Sequence, residues 1–169
     1  MAISLKSRNF LSKKLIKVLN ADLLELYGEE VNKYFSKNAK IEEAKLDNGG
    51  AMILIDRKPY FYKKNEKEKI WIPFIDVARE IQMKKVQIDQ PAVPYITDGA
   101  DVMRPGIVDL DEFEKDDFVA IIDEKNQLVL AIGRAMYSSK EIEKIEKGKV
   151  IKIIHHAGDR LYNLRRSMG

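Results

Sequence analysis

Thr97-Asp98-Gly99-Ala100-Asp101-Val102-Met103-Arg104-Pro105-Gly106 is the stretch on which the reading of this chain turns. It packs two glycines, a proline, an arginine and a methionine into one loop. Gly99 and Gly106 give the backbone conformations closed to other residues and let a partner come close. Pro105 stiffens the loop and lowers the entropy lost on binding. Arg104 carries a planar fork of donors suited to phosphate or a guanine edge. Met103 and Val102 offer an apolar floor, and backbone N–H groups in such a turn can hold a phosphate. Taken alone, the loop reads more readily as a structural turn, and the elements around it decide.

Downstream, Ile107 and Val108 leave the loop and Asp109 to Asp117 form an acidic connection. Phe118–Ile122 and Leu128–Ile132 read as a hairpin around Asp123-Glu124-Lys125-Asn126. Ser138-Ser139-Lys140-Glu141 is a capping box, Tyr137 is placed to staple onto Ile142, and Gly148 ends the helix. Lys149–Ile154 is the next strand, and Gly158-Asp159 turns into a last short strand at Leu161–Leu164. Upstream, Val86–Ile88 is a strand, while Pro91 and Pro94 confine the residues after it to a short irregular or helical piece. Many short strands with one capped helix predict a closed or nearly closed β-barrel over residues 85–169.

The first 84 residues read differently, as an α+β domain. Residues 12–19 suit a short helix capped by Ser12, and a second helical stretch runs from Asn20 to Ser36 with Gly28 interrupting it. Ile41–Leu46, Ala51–Ile55, Pro59–Tyr62 and Ile70–Ile72 read as strands, separated by Asn48-Gly49-Gly50, Asp56-Arg57-Lys58 and a charged loop. Pro73 stands where a first helical residue belongs, with Phe74, Val77, Ala78 and Ile81 as one apolar stripe. Met83-Lys84-Lys85 marks the boundary. The fold class is therefore α+β: residues 1–84 as one domain, 85–169 as a barrel.

Charge is unevenly shared. The net charge is +3, but residues 1–84 hold 17 Lys/Arg against 12 Asp/Glu and residues 85–169 hold 13 against 15. Lys6, Arg8, Lys13, Lys14 and Lys17 all precede the first acid, Asp22. Such a face attracts phosphate and makes binding salt-dependent. With no cysteine there is neither a disulfide framework nor a thiolate metal site. No run approaches a membrane span and no basic-then-apolar leader opens the chain, so a soluble cytoplasmic protein is expected.

Catalytic signals are thin. The chain lacks G-x-x-x-x-G-K-[ST], G-x-G-x-x-G after a strand, H-E-x-x-H and G-x-S-x-G. His155-His156 is the sole histidine pair, and neighbours on a strand point to opposite faces, so the two do not share a metal. Acidic pairs such as Asp116-Asp117 sit in a solvated run with no pocket to perturb them. No catalytic residue, metal site or cofactor is expected.

Several pieces occur together in a fixed order: residues 98–107, Ala131-Ile132-Gly133-Arg134-Ala135, residues 138–142, Gly148-Lys149-Val150, and His155–Tyr162. Across residues 86–164 the chain resembles a PUA domain, the RNA-binding module named for pseudouridine synthases and archaeosine transglycosylases. Arg57–Tyr62, Trp71–Phe74 and Ile88–Ala92 are similar to the domain that precedes PUA in the malignant T-cell amplified sequence and ligatin subgroup, which includes stand-alone archaeal relatives. Pro91 departs from the glycine usual there. The resemblance implies an α+β pre-PUA domain followed by a six-stranded pseudo-barrel. It further implies an RNA groove at Gly99, Ala100, Met103, Arg104, Pro105 and Gly106, flanked by Arg134.

The function so implied is non-enzymatic binding of tRNA or small-subunit rRNA in translation, in initiation, reinitiation or tRNA release. A separate protein with an initiation-factor-like domain is the implied partner. A tRNA-presenting accessory subunit of an RNA-modifying enzyme, such as archaeosine tRNA-guanine transglycosylase, is the alternative. A third reading is a protein adaptor whose barrel has lost RNA binding.

Overall fold

A computed structural model describes residues 2–168. The chain forms two compact units: one holds residues up to Gln82 together with those from Arg160 onward, the other Met83–Asp159.

The first unit is built on a five-stranded antiparallel sheet. Leu5–Phe10 (β1) is an edge strand that local pattern did not predict, because its side chains are almost all exposed and do not alternate. Lys13–Tyr27 (α1) is one continuous helix rather than two. Leu19, Leu23 and Tyr27, four residues apart, keep one buried face past Asn20. The Ser12 hydroxyl accepts from the Leu15 N–H at 3.2 Å, and Gly28 ends the helix at φ +81°, open to glycine without strain. A 3-10 turn comes next, over Glu29–Phe35. Ile41–Leu46 (β2), Ala51–Ile55 (β3), Lys58–Lys63 (β4) and Ile72–Pro73 (β5) complete the sheet in the order β1-β2-β3-β4-β5. All five residues of β3 are buried, as a central strand covered on both faces requires. Pro73 belongs to β5, opposite Phe61, and not to a helix start. The helix Ile75–Ala78 (α2) begins two residues later, after an extended Phe74.

The second unit carries Lys85–Ile88 (β6), Val93–Thr97 (α3), Val102–Met103 (β7), Ile107–Leu110 (β8), Phe118–Asp123 (β9), Val129–Ala135 (β10), Ser139–Lys144 (α4) and Lys149–His156 (β11). Its strands run β7-β11-β10-β9-β6-β8, with only β6 and β9 parallel. The two edge strands, β7 and β8, are joined in the chain by a single 3-10 turn at Arg104–Gly106. The sheet thus closes through covalent chain where a ladder is missing, which makes it a pseudo-barrel. Its interior is filled by Val86, Ile88, Val119, Ile121, Val150 and Ile151 among others. The β9–β10 turn is held by Asp123, whose carboxylate accepts from the Asn126 and Leu128 N–H groups at 2.7 and 2.9 Å. Gly133 sits at a bulge where a Cβ would collide with the Ile151 side chain. The Ser138 hydroxyl caps α4, accepting from Glu141 N–H at 3.2 Å. The helix stops at Lys144, and Gly148, at φ +98°, turns the chain into β11.

The expected strand at Leu161–Leu164 is instead a helix, Arg160–Met168 (α5), and it groups with the first unit rather than with the barrel. Leu161 and Arg165 bury on one face at helical spacing. Arg165 donates from Nε to the Pro59 carbonyl at 2.8 Å and pairs with Asp76 at 2.9 Å. No helix among the described residues is long and apolar enough to cross a membrane.

Candidate nucleic-acid interface

The seam that closes the pseudo-barrel is also one wall of a groove of about 600 Å³. The opposite wall is α3 with the 3-10 turn Gln90–Ala92 before it. Asp89 caps that turn, accepting from the Ala92 N–H at 2.9 Å, and Pro91 takes an early helical position where its missing N–H costs nothing. Ile96 and Val102 are fully buried at the base.

The two glycines of the seam serve different ends. Gly106 has no positive φ; it is small so that the walls can approach. A Cβ there would lie 3.1 Å from the Ala92 Cβ, and the Asp89 N–H donates to the Gly106 carbonyl at 2.9 Å. Gly99 ends α3 at φ +91° and lies over the His156 ring, whose Nε2 would be 2.8 Å from an added Cβ. The His156 Nδ1 bonds the Ala157 carbonyl at 3.0 Å, which keeps the ring in place. His155 is buried with Nδ1 on the Asp159 carboxylate at 2.8 Å. Both histidines therefore support the groove's architecture. Among the described residues, no cluster of three or more His, Cys, Asp or Glu side chains is placed to hold a metal.

Apolar groups face solvent along the groove. Tyr95 is 69% exposed and Met103 47%, and Pro91, Ala100 and Pro105 are exposed beside them. Lys149 stands opposite Met103 in the β7–β11 pairing, with Nζ 3.6 Å from Asp101. Asp101 is itself anchored, accepting from the Ile153 N–H at 2.9 Å. The arrangement is a slot with a planar aromatic at its rim and a largely exposed ammonium beside it. That chemistry suits a stacked base with its phosphate.

The expected site residues divide. Gly99, Ala100, Met103, Pro105 and Gly106 line the groove. Arg104 does not: its Nε donates to the Ile142 carbonyl at 2.7 Å, so the guanidinium is drawn to the end of α4. Three of the loop's N–H groups are also taken and so are not free for phosphate. Those of Gly99, Ala100 and Arg104 donate to Ile96, Tyr95 and Gly148 carbonyls. Arg134, on β10, lies over the Phe118 ring with Asp116 at 3.7 Å, outside the groove. The N-terminal cations lie in the other unit. Lys13, Lys14 and Lys17 are exposed on α1, Lys6 sits at a bulge in β1, and Arg8 is folded onto Glu42 at 2.6 Å. The acidic run is partly structural, since Asp111 accepts from the Lys85 N–H at 2.7 Å.

Tyr95 and Lys149 line the groove without a local sequence signal. Tyr95 precedes the buried Ile96 on a helix too short to show a period, so its outward direction was not legible. Lys149 reaches the groove only through the pairing of β11 with β7, which joins residues 46 positions apart.

Residues 84–157 match the PUA domain. The chain is 34% identical to an uncharacterized protein of Methanocaldococcus jannaschii over 96% of its own length and 99% of that protein's. It is 28% identical to Translation machinery-associated protein 20 of Saccharomyces cerevisiae, covering 93% and 92% of the two chains. A hypothetical protein of Pyrococcus horikoshii with a crystal structure superposes with a TM-score of 0.80 at 35% identity, over 94% of this chain and 99% of that one.

Proposed function

This chain belongs to the family of PUA-domain proteins that includes Translation machinery-associated protein 20, malignant T-cell-amplified sequence 1 and archaeal stand-alone relatives, and from that premise we infer that it binds RNA in translation without catalysing a reaction. The observation that carries the reading is the groove between α3 and the seam, with Tyr95 and Lys149 at its rim. An exposed tyrosine offers a face to any base, and the neighbouring ammonium takes the phosphate. The ligand is a structured or single-stranded RNA end, such as a tRNA acceptor or small-subunit rRNA, held by shape, stacking and backbone charge. A separate protein with an initiation-factor-like domain would complete its action on the ribosome. The yeast relative, Translation machinery-associated protein 20, supports the translation setting.

Fluorescence anisotropy with a panel of tRNAs and small-subunit rRNA fragments tests this. Tyr95→Ala is expected to weaken binding by the loss of one stacked base, about 1–3 kcal/mol or roughly five- to 150-fold. Lys149→Ala should lower the slope of log affinity against log salt by about one. Unchanged affinity in both variants would remove the groove from RNA binding.

A further inference from the structure

We propose that the first unit carries a second nucleotide-binding site, a cleft at one end of its sheet where β1 ends, β2 begins and the β3–β4 turn crosses. The proposal rests on the RNA-binding reading and extends it to another surface. The cleft, about 430 Å³, is lined by Arg8, Phe10, Lys40, Glu42 and Arg57. Three cations face one carboxylate. That carboxylate, Glu42, is buried and paired through one oxygen: its Oε2 takes Arg8 Nε at 2.7 Å and a second guanidinium nitrogen at 2.6 Å. Glu42 therefore orients Arg8 and leaves its remaining nitrogen to meet an incoming oxygen. Among the described residues, neither Lys40 nor Arg57 has an ion-pair partner of its own. Asp56, in the turn beside them, is occupied by the Lys40 N–H at 2.9 Å.

Two features point to a nucleotide rather than to a diffuse basic surface. Phe10 stands opposite Glu42 on the edge strand and is 68% exposed, the position of a stacking platform beside bound phosphate. Arg57 occupies a conformation that a structural turn would give to glycine. Asp56 and Arg57 are the two central residues of the β3–β4 hairpin, with φ +49° and +75°. Both being positive is the type I′ signature, whose second position strongly prefers glycine. An arginine held there carries backbone strain, and such strain persists where the side chain has work to do. The work available is in the cleft that this side chain lines. Phe10 takes the base, while Arg8, Lys40 and Arg57 take the phosphate.

The test uses the full chain, with AMP, a fluorescein-labelled ten-nucleotide single-stranded RNA and a poly-glutamate peptide as probes. AMP is expected to shift the amide resonances of Phe10, Lys40 and Arg57. Phe10→Ala and Arg57→Gly should each weaken oligonucleotide binding at least fivefold. Arg57→Gly should at the same time raise the urea midpoint, because glycine relieves the turn, so lost affinity cannot be ascribed to lost folding. An oligonucleotide at least ten times tighter than AMP identifies a strand as the source; equal affinities identify a free nucleotide. Oligonucleotide affinity within twofold of the parent in both variants overturns the proposal. So does a poly-glutamate response at these amides with none to AMP. Tyr95→Ala, run in parallel, separates the two sites. If it alone weakens binding, the groove stands and this cleft falls; if none of the three variants does, both fall.

Discussion

Gly99→Ala tests whether the groove is preorganised by its own backbone. The substitution meets two obstacles. The residue sits at φ +91°, where a Cβ approaches neighbouring backbone, a cost of about 1–2 kcal/mol. The new methyl would also lie 2.8 Å from His156 Nε2 and 3.1 Å from the adjoining ring carbon. The ring yields only by loosening its hydrogen bond to the Ala157 carbonyl, about 1 kcal/mol more. The expected loss is thus about 2–3 kcal/mol. Trp71 is a poor reporter because it belongs to the other unit. Urea-dependent hydrogen exchange of the β10 and β11 amides reads this unit directly. In a His156→Ala background the clash is gone, and Gly99→Ala should cost only its backbone share, about 1–2 kcal/mol. A single-variant loss below about 0.5 kcal/mol, or no coupling between the two sites, would refute the packing described for this loop.

Two other contacts carry measurable consequences. Arg104→Ala should cost about 1.5–3 kcal/mol by removing a charged donor from the Ile142 carbonyl, while the folded fraction keeps RNA affinity within threefold; a tenfold loss in anisotropy would return Arg104 to the groove. Burial raises the Tyr27 phenol far above its ordinary value, and its hydroxyl donates to the Trp71 carbonyl. Because the folded-state value is the raised one, this stability is complete below the unfolded value near pH 10. Above it, stability should fall by up to about 1.4 kcal/mol per pH unit. Urea midpoints from pH 9 to 11.5 should therefore decline less steeply for Tyr27→Phe than for the parent; equal slopes would contradict the assignment.

Much of the fold was legible because it is encoded over short distances. The β3–β4 and β9–β10 hairpins are apolar runs separated by turn residues, and the α4 cap is a four-residue signal; each is satisfied by neighbours in the chain. Local pattern divides the first helix at the polar Asn20, whereas the four-residue spacing of Leu19, Leu23 and Tyr27 carries it through to Gly28. β1 and α5 were missed for another reason. β1 becomes a strand by pairing with β2, tens of positions away, and its own side chains carry no period. The helix at the C-terminal end looks like a strand over four residues. As a helix it buries Leu161 and Arg165 on one face, and Arg165 there reaches Pro59 and Asp76, roughly a hundred positions earlier.

By itself, the sequence determined the class of fold, the family, and the loop at residues 97–106 as the centre of the second unit. These depend on local propensity and on motifs in fixed order. Only the tertiary structure decided which side chains the loop presents. It turned Arg104 to a helix end and brought Lys149 and Tyr95 to the rim. In the first unit it gathered Arg8, Phe10, Lys40 and Arg57 into one cleft from three separate stretches. A guanidinium goes to whichever acceptor the fold places within reach, and that choice is made by strand pairing across tens of residues, not by the residues beside it.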